Sequence, residues 1–411
     1  MCEMIHGRGG HSRRAFFSAA ISMAAVVTRG AAQQQTTAAE MAEHFRKISE
    51  EAEQKGLAEP YRGIATRDGI EPGLFEIRPS GVSTEAVRNA AERFIACLNG
   101  QQLARTIFPV DDEEWRKWMN QHFYVRQGVS FAEMNDSQRD AAFNLIRASL
   151  SARGFELTRN VMRLNETLAE LSGDHDFLGE WLYYITIMGR PSATEPWGWR
   201  LDGHHNIINY FVLGDQVVMT PHFFGSEPVH APSGKYKGLT ILQQEQNDGL
   251  GMINAIAGEQ RKKAILNFSK TGNNNLTEAF RDNVVLDYAG VRAGDLDPAP
   301  RRRLLELVEL YVGNMDEGHA RVRMDEVRRH IDRTCFAWIG GTEPASVFYY
   351  RVHSPVILIE FDHQQPANLR RFAADPDKPT QQHVHCVVRT PNGNDYGKDL
   401  LRQHYSAHAH A

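Results

Sequence analysis

The sequence predicts an α+β protein made of two similar units in tandem, related by a pseudo-two-fold duplication. In each unit, helices are followed by a three-stranded antiparallel meander. Three observations predict this. Apolar residues recur at three-to-four spacing through 84–171 and again through 239–331, the period of helices with one buried face. Each stretch gives way to aromatic and β-branched runs separated by turn residues, at 181–224 and at 335–388, a strand pattern. Short matches also recur in unchanged order. Gly128-Val129 sits against Gly290-Val291, Glu195-Pro196 and Trp199-Arg200 against Glu343-Pro344 and Tyr350-Arg351, and Val217-Val218-Met219-Thr220-Pro221 against Val387-Val388-Arg389-Thr390-Pro391. An ordered series of this kind is the mark of an internal repeat.

The elements follow in order. Ser12-Arg13-Arg14-Ala15-Phe16-Phe17 resembles a twin-arginine export motif. The apolar run behind it, 15–27, is shorter than the roughly 20 residues a bilayer span needs. Gly30, Ala31 and Ala32 suit a signal peptidase, so residues 1–32 are read as a signal peptide cleaved after Ala32. The export machinery is then a partner, and the mature chain is periplasmic or secreted. By resemblance this pathway carries folded proteins, many of them loaded with a metal or cofactor beforehand. Residues 33–83 form a tether and an amphipathic helix near 41–55, then a loop. The first unit runs over 84–238, with strands at 181–188, 197–212 and 216–224. The second runs over 239–411, with helices at 239–257, 257–268, 300–312 and 316–331. The two sheets join edge to edge or face each other. No later run is apolar and long enough to span a membrane.

Composition narrows the function. With 42% hydrophobic and 24% charged residues over 411, the chain is globular rather than disordered. Its formal charge is −5, and loss of the arginine-bearing signal makes it more acidic. No basic stripe interleaved with aromatics is present, so nucleic acid is not a partner. There is no GxSxG elbow, no HExxH, no phosphate-cradling glycine loop and no dinucleotide fingerprint, so no nucleotide cofactor is called for. Of the cysteines Cys2, Cys97, Cys335 and Cys386, the first leaves with the signal. One bridge at most, Cys335 to Cys386, is open to the rest; buried thiols are the simpler reading.

What the second copy lacks is a guide to function. Gly203-His204-His205-Asn206 has no counterpart in Tyr350-Arg351-Val352-His353-Ser354-Pro355. Read as the middle of a strand over 197–212, His204 shares a face with Arg200 and Asp202, and His205 one with Trp199 and Asn209. The two histidines then serve one site only if Gly203 marks a bulge. His383-Val384-His385 places two imidazoles on one strand face, with Arg389 continuing it and Glu360 on the strand expected beside it. Two imidazoles on one face are a common way to present ligands to a metal. The candidate metal ligands are therefore His204, His205, His383 and His385, with an oxygen from Glu360, for zinc, iron or copper. Arg200 and Arg389 are candidates to hold an anionic group, and Trp199, Arg200 and Tyr350 to line a substrate pocket.

Four stretches together are similar to a known family. They are Trp197-Gly198-Trp199-Arg200-Leu201-Asp202-Gly203-His204-His205; Thr220-Pro221 with Phe224-Gly225 and Pro228; Phe348-Tyr349-Tyr350-Arg351-Val352-His353-Ser354-Pro355 with Glu360-Phe361; and Arg389 with Asp395-Tyr396-Gly397, Leu400-Leu401 and His404-Tyr405. They resemble the domain-of-unknown-function family numbered 3500, over about 87–405. The resemblance implies no reaction. It implies that the Gly-His-His and Asp-Tyr-Gly stretches are hallmarks of the family. Three readings follow: a metal-dependent hydrolase or oxidoreductase acting on a small anionic or carbohydrate-like molecule, a non-catalytic periplasmic small-ligand-binding protein, and a structural protein of the cell envelope.

Overall fold

Asparagines and serines placed just ahead of apolar runs start the helices. In the computed structural model, which describes residues 38–408, Asn99 and Asn135 each close a capping box, with Gln102 and Gln138 as the reciprocal partners. The two glutamines also bind each other, Gln138 Nε2 donating to Gln102 Oε1 at 2.8 Å. Ser151 caps the longest helix, which ends at Gly173 in the left-handed region, φ 76°. The signal peptide read at 1–32, and the tether as far as residue 37, lie outside the described residues.

The first helices and strands are α1 (Ala38–Gly56), α2 (Glu85–Cys97), α3 (Gly100–Thr106), β1 (Ile107–Phe108), β2 (Val129–Ser130), α4 (Asp136–Ser149), α5 (Ala152–Ser172), β3 (Tyr183–Met188), β4 (Trp197–Gly203), β5 (Asn206–Leu213), β6 (Gln216–Val218) and β7 (His222–Ser226). The rest are α6 (Gln243–Ala255), α7 (Gly258–Ala264), β8 (Ile265–Asn267), β9 (Val291–Arg292), α8 (Pro298–Val312), α9 (Glu317–Arg329), β10 (Cys335–Gly340), β11 (Phe348–His353), β12 (Leu358–His363), β13 (Val384–Arg389) and α10 (Lys398–Ala407). The protein is α+β, with ten helices and one mixed sheet of 13 strands among the described residues. No described helix is long and apolar enough to cross a membrane.

The strand order is β1-β3-β4-β5-β7-β13-β12-β11-β10-β8. Inward from one edge, β3 carries a short parallel strand, β1, beside a short antiparallel one, β2. Inward from the other, β10 carries parallel β8 beside antiparallel β9. The two sets meet at an antiparallel seam, β7 with β13, where His222 faces Val388 and Gly225 faces His385. The sheets are thus one sheet joined edge to edge. Cys335 on β10 and Cys386 on β13 have two strands between them. Strand spacing of about 4.8 Å puts them far beyond the reach of a disulfide, and both are free thiols.

Both faces of the sheet are covered, because the side-chain period of two feeds alternate residues into two cores. Phe224, Cys386, Val388, Trp199 and Tyr350 enter the core under the helices. Phe223, Val387, Ile207 and Phe211 enter a second core with Trp115, Trp118, Tyr396 and Leu400. The segment between β1 and β2 and α10 supply that second cover. Four sequence expectations change accordingly. Helix does not run through 107–135, which leaves α3 for two short strands and a loop. The helix expected at 257–268 ends at Ala264 and becomes β8. The strand expected over 197–212 is a hairpin, and each half has four long strands rather than three.

Candidate metal centre

The hairpin explains how a His-His pair reaches a site. Gly203 pairs with Asn206, so His204 and His205 are the whole of a two-residue turn. His205 has φ 59°, a conformation that glycine ordinarily supplies. A non-glycine residue held there is a mark of function worth following. The turn aims His205 off the end of β4 and β5 and across β7 to β13. There His383 and His385, two residues apart, present their rings to the same point.

The three Nε2 atoms form a near-equilateral triangle. His205 to His383 is 3.2 Å, His205 to His385 is 3.1 Å, and His383 to His385 is 3.1 Å. All three residues are buried, at 5%, 4% and 4% exposure. Gly225 makes room for this: a Cβ there would lie 2.4 Å from the Val384 carbonyl and close to the rings of both His205 and His385.

Hydrogen bonds on the far side of the rings set the tautomers. His383 Nδ1 lies 2.7 Å from the Gln365 carbonyl, and His385 Nδ1 lies 2.7 Å from Glu278 Oε1. Both partners only accept, so both Nδ1 atoms carry a proton, and in the neutral ring Nε2 is the atom left to ligate. Burial, then like-charged neighbours, pushes His205 well below the ordinary histidine value, and burial lowers His383 as well. Three imidazole nitrogens converging on one point are a metal-ligand set once the rings are neutral. The triangle's edge is close to the roughly 3.3 Å that two bonds of about 2.0–2.1 Å enclose at a tetrahedral angle. The cluster can hold a metal ion.

Two carboxylates stand behind the ligands. Burial works against ionisation of Glu278, but His385 and the Asn275 amide outweigh it and hold the carboxyl below its ordinary value. Glu227 Oε1 lies 4.0 Å from His383 Nδ1. It is fixed by backbone N–H groups of Ala367, Asn368 and Leu369. Two carboxylates behind three imidazoles suit a divalent cation.

Of the four predicted ligands, the structure brings His205, His383 and His385 together and leaves His204 aside. His204 Nδ1 lies 2.8 Å from Asn165 Oδ1. Glu360 does not reach the histidines. Its oxygens accept from the Leu276 and Thr277 backbone, the Thr277 hydroxyl and Tyr349. Arg200 is bound by the carbonyl and carboxylate of Glu114. Arg389 is held by Asp395 at 2.8 Å, Asp282 at 2.7 Å and the Thr277 carbonyl at 2.7 Å. Trp199 donates to Ser149 and stacks on Tyr210. Tyr350 donates to the Glu245 carbonyl, pairs with Tyr311 and stacks on Phe361. These arginines clamp the fold, and these aromatics belong to the core. Sequence reasoning missed Glu278, Glu227, the Gln365 carbonyl and Gly225. Only Gly225 carried a signal, a lone glycine within a strand pattern.

The chain matches no curated protein and no solved structure. Residues 80–398 match a family described as "Protein of unknown function (DUF3500)", a span that includes all three histidines. The match covers well over half of the chain, and the chain belongs to the DUF3500 family.

Proposed function

We propose that the protein is an exported metal-dependent enzyme acting on a small molecule, with His205, His383 and His385 as ligands of one divalent transition metal. One observation carries the metal. The Nε2 lone pairs of His383 and His385 face each other across 3.1 Å, because both Nδ1 protons are committed elsewhere. Two neutral rings so placed repel unless a proton or a metal ion lies between the nitrogens, and a third Nε2, that of His205, converges on the same point. Three protein ligands leave a coordination position open, the pattern of catalytic rather than structural sites. A metal so held activates water for hydrolysis or supports oxidation; imidazole ligands suit zinc, iron and copper. Gln365 and Glu278 orient the rings, and Glu278 and Glu227 offset the cation's charge. Trp199, Arg200, Tyr350 and Arg389 are engaged in the core, which favours this reading over a binding protein built on them.

We also read the two halves as products of duplication. The support is the mirrored strand order and the bond between the two Thr-Pro copies, Thr220 Oγ1 to Thr390 Oγ1 at 2.7 Å. The reading of an exported protein rests on Arg13 and Arg14. Replacing both with lysine is expected to retain the protein inside the cell.

The decisive test is elemental analysis of protein exported on its own signal and purified without chelators. About one transition-metal ion per chain is expected. His383→Ala and His385→Ala are each expected to lose it with the circular dichroism spectrum unchanged. Wild-type protein free of stoichiometric metal, and unable to take up added zinc, iron or copper, sinks the proposal.

A further inference from the structure

His204 is the half of the His-His turn that the three ligands leave unused. Its ring packs on His205, centroids 4.0 Å apart and planes 32° apart. His122, on the segment between β1 and β2, packs edge-on against His204 at 5.6 Å. Three imidazoles therefore form a continuous row that ends at the candidate ligands. The row runs inward: His122 is half-buried, whereas His204 and His205 are 3% and 5% exposed.

Not every nitrogen in this row is spent on the fold. Asn165 Nδ2 donates to the Gly179 carbonyl at 2.8 Å, which leaves Asn165 Oδ1 to accept from His204. His204 Nδ1 then carries the proton, and its Nε2 keeps a lone pair. His122 Nδ1 is buried with no hydrogen-bond partner. A ring serving packing alone leaves no such atom unsatisfied without cost.

The outer end of the row is acidic. Asp174 and Glu227 both act on the charge of His122, and Arg126, itself bound to Asp202, opposes them. His175 and Asp176, which follow Asp174, are exposed. Phe177 packs on Phe45 at 4.8 Å, and Phe45 on His122 at 6.1 Å, so this turn lies beside the row. Glu227 also stands 4.0 Å from His383, which carries the negative charge inward. Carboxylates at the mouth of a path concentrate cations there and raise the rate of capture.

We propose that His122 and His204 form the way in for the metal ion, a relay of imidazole nitrogens that passes a divalent transition-metal cation from the Asp174 turn to His205, His383 and His385. The inference rests on the metal-centre reading above. A relay changes rates and leaves the equilibrium alone, because it touches the ion only in transit. The ion leaves as it enters, so association and dissociation slow by the same factor when the relay is cut.

The test is stopped-flow uptake of Co²⁺ by the full mature chain stripped of metal, followed by the visible bands of the bound ion, with release measured into excess chelator. The variants are His122→Ala and His204→Phe, singly and together; phenylalanine keeps a flat ring against His205 while removing both nitrogens, and with them the bond to Asn165. In the double variant, association and dissociation are each expected to fall by about tenfold or more. The ratio of the two rates, and hence the affinity, is expected to stay within about threefold of wild type. Asp174→Asn is expected to slow association and flatten its salt dependence. Variants that load and release at wild-type rates overturn the relay and leave the metal centre standing. Unchanged association with weakened affinity also overturns it, because His204 would then be acting on the bound state. A wild-type chain that takes up no cobalt overturns relay and centre together.

Discussion

In the half of the sheet from β3 to β7, β4 and β5 are joined by the two-residue turn His204-His205, with His205 at φ 59°. In the half from β10 to β13, the same junction is the four-residue turn 354–357, closed by the pair His353 and Leu358. Ser354 holds it by accepting from the backbone of Val356 and Ile357. At the seam the asymmetry reverses: β13 brings His385, and β7 opposes it with Gly225. Each half supplies what the other lacks, one a ligand on a turn and a glycine, the other a ligand on a strand and one just ahead of it. Other positions repeat closely. Gly128 and Gly290 have φ of 90° and 89°, and a Cβ on either would strike the carbonyl of the neighbouring long strand, Ile185 or Phe336. Positions that match serve the sheet, and positions that differ converge on one point.

The largest expected effect tests how the covers of the two halves are fastened. Arg389 binds Asp282 and Asp395, which are buried with it. Arg200 binds Glu114 closely and stands 4.0 Å from Asp202, which Arg126 holds at 2.7 Å. Arg389→Met takes the arginine from Asp395 and one of two from Asp282, which keeps Arg116 at 2.9 Å, and is expected to cost about 3–5 kcal/mol. Arg200→Met strands one acid, Glu114, and is expected to cost less. Urea unfolding of the two variants measures the difference, and equal costs would mean that the bond from Arg389 to Asp282, at 2.7 Å, adds nothing to the clamp.

The next test compares the matched glycines. Alanine at Gly128 or Gly290 must adopt φ near 90° and push against a carbonyl within 2.2 or 2.0 Å. Each substitution is expected to cost about 1–3 kcal/mol. The two costs are expected to agree within about 0.5 kcal/mol. A strongly unequal pair breaks the equivalence of the halves.

Glu278 tests the unmatched positions. Its side chain is 26% exposed, so Glu278→Gln is expected to change the metal-free protein's stability by no more than about 0.5 kcal/mol. The amide is a weaker acceptor for His385 Nδ1 and carries no charge to offset the ion. Metal affinity is therefore expected to fall by about 10–100-fold, measured by competition with a chromophoric chelator. Undiminished affinity would place Glu278 outside the centre.

What the sequence showed depended on whether a feature had a period. His383 and His385 were legible because a spacing of two on a strand means one face. The alternation of helix and strand blocks was legible for the same reason. The turn at His204-His205 was not, because turns of that length announce themselves through Asn-Gly or Gly-Gly, and here the hydrophobic pattern runs on either side of two histidines. That mistake sent the two rings to opposite faces of an imagined strand. Glu278 lay hidden in the polar stretch between β8 and β9, which has no period at all. Its partner, His385, is 107 residues away. Glu360 was misplaced by two residues of register: Asp362, not Glu360, pairs with His385.

The smallest effect concerns the seam itself, where His222 on β7 faces Val388 on β13. His222 is buried, its Nδ1 has no partner, and it lines a cavity of about 60 Å³. Burial pushes its pKa down to about 3. In the unfolded chain the same imidazole titrates near 6.5. Between those values the unfolded state binds a proton that the folded state refuses, so His222 makes stability fall as pH drops below about 6.5. Its contribution is fully present above that value and is lost progressively down to about 3. His222→Val, which copies the residue across the seam, removes this proton uptake from the unfolded state. Between pH 7.5 and 5.5, wild-type metal-free protein is expected to lose about 1.4 kcal/mol more stability than the variant. Other buried groups titrate in both proteins alike and cancel from the comparison. Chemical unfolding at the two pH values decides it. Parallel stability–pH curves would mean that His222 is protonated in the folded state, with the cavity supplying a partner for its charge.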